Sequence, residues 1–242
     1  LGMSGPAASP LIVGERVYMA AGKVCAFSKA DGKLVWEQKA AKGSIASPTW
    51  WKPENGKPVL VINGNNALYG LDPDSGELLW TVEGGSQSTP VASGDWLVLY
   101  SGTEGVGLRA YQMQADGKPK AAWSHYWVTR RYTGSPIIHE GNVYLCCGEK
   151  HQCLDLVTGK EKWVVNEINS TITSPLIADG KLLVYENNGT HVRMLKATNT
   201  AYQDLGRAKT DAMGCSSPAI ANGRLLVRQK DKLVCFDLRP AN

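Results

Sequence analysis

The chain has 242 residues, 43% hydrophobic and 20% charged, with a net charge of +4, enough to bury a sizeable core within one domain. No apolar run approaches the roughly 18 to 20 residues of a membrane-spanning helix, and no Lys/Arg run exceeds Arg130-Arg131. A membrane span and a nucleic-acid footprint are therefore not indicated. The start at Leu1, without a signal-peptide pattern, leads us to expect a processed or cut chain.

A Ser/Thr-Pro pair recurs along the chain, at Ser9-Pro10, Ser47-Pro48, Thr89-Pro90, Ser135-Pro136, Ser174-Pro175 and Ser217-Pro218. The prolines lie 38, 42, 46, 39 and 43 residues apart. After each comes a turn marked by Gly14, Asn55-Gly56, Gly94, Gly141, Asp179-Gly180 or Asn222-Gly223, because these residues tolerate the φ values of tight turns. An apolar strand follows, predicted at 16–20, 58–62, 96–100, 142–146, 181–185 and 224–227. A third strand is predicted at 24–27, 68–71, 108–112, 152–156, 192–195 and 233–238. Repeats one, two and four then reach a tryptophan four residues after a glycine, as Gly32 to Trp36, Gly76 to Trp80 and Gly159 to Trp163. Repeat three keeps Gly117 and Trp123 with two extra residues between them. Repeat five puts Asn199 and Leu205 where the glycine and tryptophan are expected.

A unit of about 40 residues with four short strands is a propeller blade. No helical period is visible. The proline suits the start of an innermost strand, where its missing N–H removes no ladder bond. The tryptophan ends the outer strand, where a large ring can cover the wedge between neighbouring blades. The fold class is all-β, a β-propeller of four-stranded antiparallel blades with six repeats. The chain reads as one domain over 1–242, with blades near 4–40, 42–84, 85–127, 130–167, 169–210 and 212–242. About 23 strands are expected, six blades less one outer strand.

The pattern of a Ser-Pro, a Gly-x-Val-Tyr strand, then Leu-Asp, Thr/Ser-Gly and Trp is clearest at 135–163 and 65–80. It resembles the pyrroloquinoline quinone (PQQ)-like β-propeller repeat over nearly all of residues 4–238. The resemblance implies seven or eight blades in a complete propeller, so the chain is expected to be part of a longer one, the alternative being a six-bladed ring with imperfect closure. It also implies an extracytoplasmic, periplasmic setting in a bacterium. The family includes PQQ- and calcium-dependent quinoprotein alcohol dehydrogenases. It also includes a propeller lipoprotein of outer-membrane assembly that binds proteins and no quinone.

Six cysteines raise the question of disulfides or metals. Cys153 and Cys235 fall where other repeats have Gly70 and Ala26, with Cys25 next to that position, and read as small buried hydrophobes. Cys146 and Cys147 are adjacent at the end of a strand, and a two-residue turn at Glu149-Lys150 would set Cys146 opposite Cys153. With His151 these could form a soft-metal cluster, but the spacing matches no zinc module. The family resemblance adds the reading of Cys146-Cys147 as a vicinal disulfide against a quinone. His139 and His191 read as structural.

The loops joining fourth to first strands are expected to gather Gln87, Trp127, Arg130, Arg131, Tyr132 and Asp211 on one face. The longest, 124–134, mixes aromatic and basic groups of the kind enriched at binding hot spots. An insertion at 50–54, with Trp50-Trp51, allows either a binding or a packing role at the opposite face. A quinone site would need a carboxylate base, calcium ligands and an arginine. Glu104, Asp211 and Arg131 are candidates, but nothing in the sequence brings them together. The expectation is a propeller with no catalytic site, metal or cofactor, exported and binding another protein through one face. The enzyme alternative is a PQQ- and calcium-dependent dehydrogenase propeller. A sensor domain is a third reading.

Overall fold

A computed structural model describes residues 7–43, 45–54, 56–101, 103–126, 134–147, 150–166, 173–214 and 216–239. The described residues form 23 strands in six antiparallel sheets. Within each sheet the strands pair in chain order, as consecutive hairpins. The chain separates into two compact units, Leu1–Val128 and Thr129–Asn242, with three sheets each.

In the first unit, sheet one contains β1 (Leu11–Val13), β2 (Arg16–Ala20), β3 (Val24–Ser28) and β4 (Leu34–Gln38). Sheet two contains β5 (Thr49–Trp51), β6 (Val59–Asn63), β7 (Leu68–Leu71) and β8 (Leu78–Val82). Sheet three contains β9 (Val91–Ser93), β10 (Trp96–Tyr100), β11 (Leu108–Met113) and β12 (Pro119–His125). In the second unit, sheet four contains β13 (Ile137–His139), β14 (Asn142–Cys147), β15 (Lys150–Asp155) and β16 (Glu161–Val165). Sheet five contains β17 (Leu176–Ala178), β18 (Lys181–Glu186), β19 (His191–Lys196) and β20 (Asp204–Lys209). Sheet six has three strands among the described residues, β21 (Ala219–Ala221), β22 (Arg224–Arg228) and β23 (Leu233–Asp237).

In sheets two to six the second strand is the most buried. All five residues of β6 and all six of β14 are buried, as expected for strands covered on both faces. The cores lie between sheets. Tyr18, Val24 and Trp36 of sheet one pack with Leu60, Ile62 and Leu71 of sheet two. Tyr144, Cys146 and Trp163 of sheet four pack with Leu182, Val184 and Leu195 of sheet five.

A single local device recurs in the first five sheets. The outer strand carries one extra residue, and the third-strand residue at this bulge faces the outer strand, at the tryptophan in the first four sheets. The pairs are Ala26–Trp36, Gly70–Trp80, Ala110–Trp123 and Cys153–Trp163. The small partner is required by volume: a Cβ on Gly70 would lie 2.1 Å from the Trp80 ring. Sheet five reverses the sizes, with Met194 opposite Gly206. The tryptophan position in repeat five is therefore Gly206, not Leu205. The connection between third and fourth strands is longer in repeat five than in repeats one, two and four, which moves the position along the sequence.

Two of the plugging indoles hydrogen-bond into the next sheet. Trp36 Nε1 donates to Pro73 O at 2.9 Å, and Trp163 Nε1 donates to Thr198 O at 2.8 Å. Between sheets two and three, Trp51 does the reaching, donating to Gly94 O at 2.9 Å with Trp80 edge-on to it at 6.3 Å. Trp51 is fully buried on an innermost strand. Residues 50–51 are thus inter-sheet packing rather than part of an exposed insertion.

In four of the Ser/Thr-Pro pairs the Ser has a role beyond introducing the proline: its backbone N–H donates to the hydroxyl of its counterpart one repeat later. In the first unit Ser9 donates to Ser47 at 3.0 Å, and Ser47 to Thr89 at 3.0 Å. In the second unit Ser135 donates to Ser174 at 3.0 Å, and Ser174 to Ser217 at 3.3 Å.

Candidate functional site

Loops tied down by buried polar groups present the candidate residues. Asn63, at the end of β6, is buried and organises the connection from β8 to β9. Its Nδ2 donates to Ser86 Oγ at 3.0 Å and to Ser88 O at 2.9 Å, while its Oδ1 accepts from Gly85 N at 2.9 Å. Ser86 Oγ also donates to Tyr100 O. Gln87, between the two tied serines, is exposed. Asn63 went unnoticed in the sequence; its signal was an Asn ending an otherwise apolar strand.

The connection from β20 to β21 is held instead by backbone hydrogen bonds to the turn at Gly189-Thr190. Asp211 N donates to Thr190 O at 3.1 Å and Ala212 N to Gly189 O at 2.8 Å. Met213 N donates to Arg228 O at 2.7 Å, which fastens the loop to sheet six. Gly189 has φ +91, and a Cβ there would lie 2.7 Å from Ala212 O, so only glycine allows this approach. Asp211 is exposed with φ +49, and its carboxylate lies 3.4 Å from Lys209 Nζ. Met213 is 47% exposed beside it. The structure thus gathers Lys209, Asp211 and Met213 on one tied loop. Trp127, Arg130, Arg131 and Tyr132 lie outside the described residues. Glu104 is exposed in the connection between β10 and β11.

The cysteine region is a core. The β14–β15 register sets Cys146 opposite His151 and Cys147 opposite Lys150, while Cys153 faces Tyr144. Lys150 is therefore part of β15 and not of the turn, and Cys146 does not face Cys153. Cys146 and Cys147 are both free thiols and fully buried. Burial pushes the Cys147 thiol up to about 12 and Cys153 up to about 11, and raises Cys146 further. Such thiols are neither nucleophiles nor ready metal ligands at neutral pH. Among the described residues, no group of three His, Cys, Asp or Glu side chains could hold a metal.

His151 is fully buried against Tyr202 of the next sheet, with ring centroids 6.0 Å apart. Burial first, and then the Arg193 charge, pull its pKa down to about 4, against the opposing pull of Asp204. Arg193 itself is clamped between Glu186 and Asp204. His151 is a neutral core residue at pH 7 and not an acid–base catalyst.

Among the described residues no helix is long and apolar enough to cross a membrane. Comparison with known proteins adds a family. Residues 2–204 match the family described as outer membrane protein assembly factor BamB. The curated factors of that name from Salmonella typhimurium strain LT2 and Escherichia coli strain K12 are each 25% identical over 180 residues. That alignment covers 70% of this chain and 44% of theirs, so the chain spans under half the length of these relatives. The crystal structure of BamB from Moraxella catarrhalis superposes with a TM-score of 0.71 at 18% identity, over 97% of this chain and 73% of that one. A chain of the Mitotic Checkpoint Complex reaches a TM-score of 0.71 at 11% identity, over 99% of this chain and 77% of that one. These structural likenesses establish the β-propeller fold alone. The family match establishes more: the chain belongs to the outer membrane protein assembly factor BamB family of PQQ-like repeat propellers.

Proposed function

We propose that this chain is a non-catalytic propeller module that binds other proteins during outer-membrane protein assembly, outside the cytoplasm of a bacterium. The family match over residues 2–204 carries this reading. The chemistry of the interior agrees with it. The described buried cysteines are protonated and His151 is neutral at pH 7, so the polar interior serves packing. The loops between fourth and first strands are the binding elements. Gln87 and the Lys209–Asp211–Met213 loop are exposed on backbones fixed by hydrogen bonds, so they lose little freedom on binding. Trp127, Arg130, Arg131 and Tyr132 belong to the same class of loop and supply the residue types of hot spots. Neither quinone nor metal takes part.

The test is photo-crosslinking from Gln87 and Asp211 in the source bacterium, with adducts identified by mass spectrometry. Adducts with components of outer-membrane protein assembly are expected from at least one position. A parallel titration with PQQ and calcium follows the fluorescence of the eight tryptophans. Saturable, calcium-dependent quenching at micromolar quinone would replace this reading with the dehydrogenase one.

A further inference from the structure

Sheet six leaves open an edge that the other sheets cover. In the first five sheets the third strand lies between the second and the fourth and is paired on both edges. Each of those third strands has at least two buried residues, whereas β23 has none. Among the described residues nothing pairs with the outer edge of β23. Leu233 and Phe236 are 67% and 36% exposed, and Cys235 is exposed between them. Exposed edges are ordinarily blunted by lysine, proline or a bulge. The sequence of β23 is Leu-Val-Cys-Phe-Asp, with no lysine or proline, and it pairs with β22 without a register shift. Its outer N–H and C=O groups are therefore set out for another strand.

The register says what that strand carries. Cys235 faces Leu226, which in turn faces Ala219. The same row in sheet four is Cys153, Tyr144 and Ile137, and in sheet one Ala26, Tyr18 and Leu11. Both rows end on a tryptophan of the fourth strand, Trp163 and Trp36. Cys235 is thus the small residue of its row, and the place opposite it suits an indole lying over Cys235 and Leu226. In sheet four Val164 and Val165 follow the tryptophan, opposite Gln152 and His151. The matching residues of sheet six are Val234 and Leu233, so aliphatic residues after the tryptophan would pair with apolar neighbours. The tryptophan strands of a second folded copy are already paired within their own sheets. The fitting occupant is an extended segment of another protein that is not yet part of a sheet.

We propose that β23 accepts an extended segment of another protein by antiparallel strand addition, with a tryptophan of that segment seated over Cys235. Backbone hydrogen bonds to β23 provide attachment, and the indole against Cys235 and Leu226 selects the sequence. The segment gives sheet six what β16 gives sheet four. This edge is separate from the loops assigned above to protein binding, and its test is separate from theirs.

Cys235 serves as the reporter. The probe is a capped peptide with the sequence of residues 159–165, Gly-Lys-Glu-Lys-Trp-Val-Val, added to the whole chain carrying Cys215→Ser. Saturable protection of Cys235 from a thiol reagent is expected. The Trp163→Ala version of the peptide should need about tenfold more for the same protection. Binding of the fluorescein-labelled peptide, followed by anisotropy, should persist in Cys235→Ala. It should be lost in Cys235→Trp, where a second indole fills the seat. Absence of protection at millimolar peptide, equal protection by the alanine version, or undiminished binding to Cys235→Trp would each overturn the proposal. Cys235 is exposed, so neither substitution disturbs a packed core.

Discussion

Gly70 illustrates how narrowly some residues are specified. Its missing side chain is the space the Trp80 ring occupies, so Gly70→Ala must displace the ring or bend the bulge. We expect a loss of about 1–3 kcal/mol, as for overpacking in general, read as a lower urea midpoint with an unchanged slope. His151 sets a pH dependence. Its folded pKa of about 4 lies below the ordinary 6.5, so between those values the unfolded chain takes up a proton that the native chain refuses. The stability conferred by the neutral ring is complete above pH 6.5 and declines as the pH falls toward 4. Up to about 2 kcal/mol should be lost between pH 6.5 and 5. His151→Asn should flatten that slope in urea unfolding at a series of pH values; an equally steep slope in the variant would remove His151 as its source. The small position on the third strand was legible in the chain, because Cys153 aligns with Gly70 and Ala26; that it faces the tryptophan was not, since strand pairing is not a local signal. The exchange at Met194 and Gly206 was hidden by the longer connection between third and fourth strands in repeat five.

Strands and hairpins were legible for a physical reason. Turn glycines and short apolar runs are local signals, and the predicted second and third strands match those observed to within two residues at most ends. Lys150 was assigned to a turn but opens β15 opposite Cys147, because a polar residue beside a turn glycine carries no signal that separates turn from strand. Links between sheets were the least legible. The Ser/Thr before proline was read for its proline, while its hydroxyl finds a partner about 40 residues away that no local pattern specifies. Ser47→Ala or Ser174→Ala should each cost about 0.5–1.5 kcal/mol, the net worth of one such bond. Ser47→Thr should be close to neutral, because Thr89 already fills the equivalent place. Differential scanning calorimetry of the three variants separates a lost hydrogen bond from a general intolerance of substitution there.

For the chain as a whole, burial divides the described thiols into two classes. Cys146, Cys147 and Cys153 are fully buried and Cys25 nearly so, while Cys235 is exposed on β23. In a variant with Cys215 replaced by Ser, a thiol reagent under native conditions should modify Cys235 within minutes and leave the other four until denaturant is added. Fast reaction at Cys146 or Cys147 would mean that sheets four and five open readily. Function was less legible than fold because the repeats encode mutual packing, and the candidate residues interrupt that code rather than follow it. The hydrogen-bonded serines and threonines have one more consequence. Ser47 and Ser174 each donate to the next repeat and accept from the previous one through the same atoms, so the joint within each unit is standardised and does not depend on the rest of the repeat. A duplicated or deleted repeat would meet its new neighbours with a fitting already in place. The length of such a chain can therefore change by whole units during evolution without a new interface being invented each time.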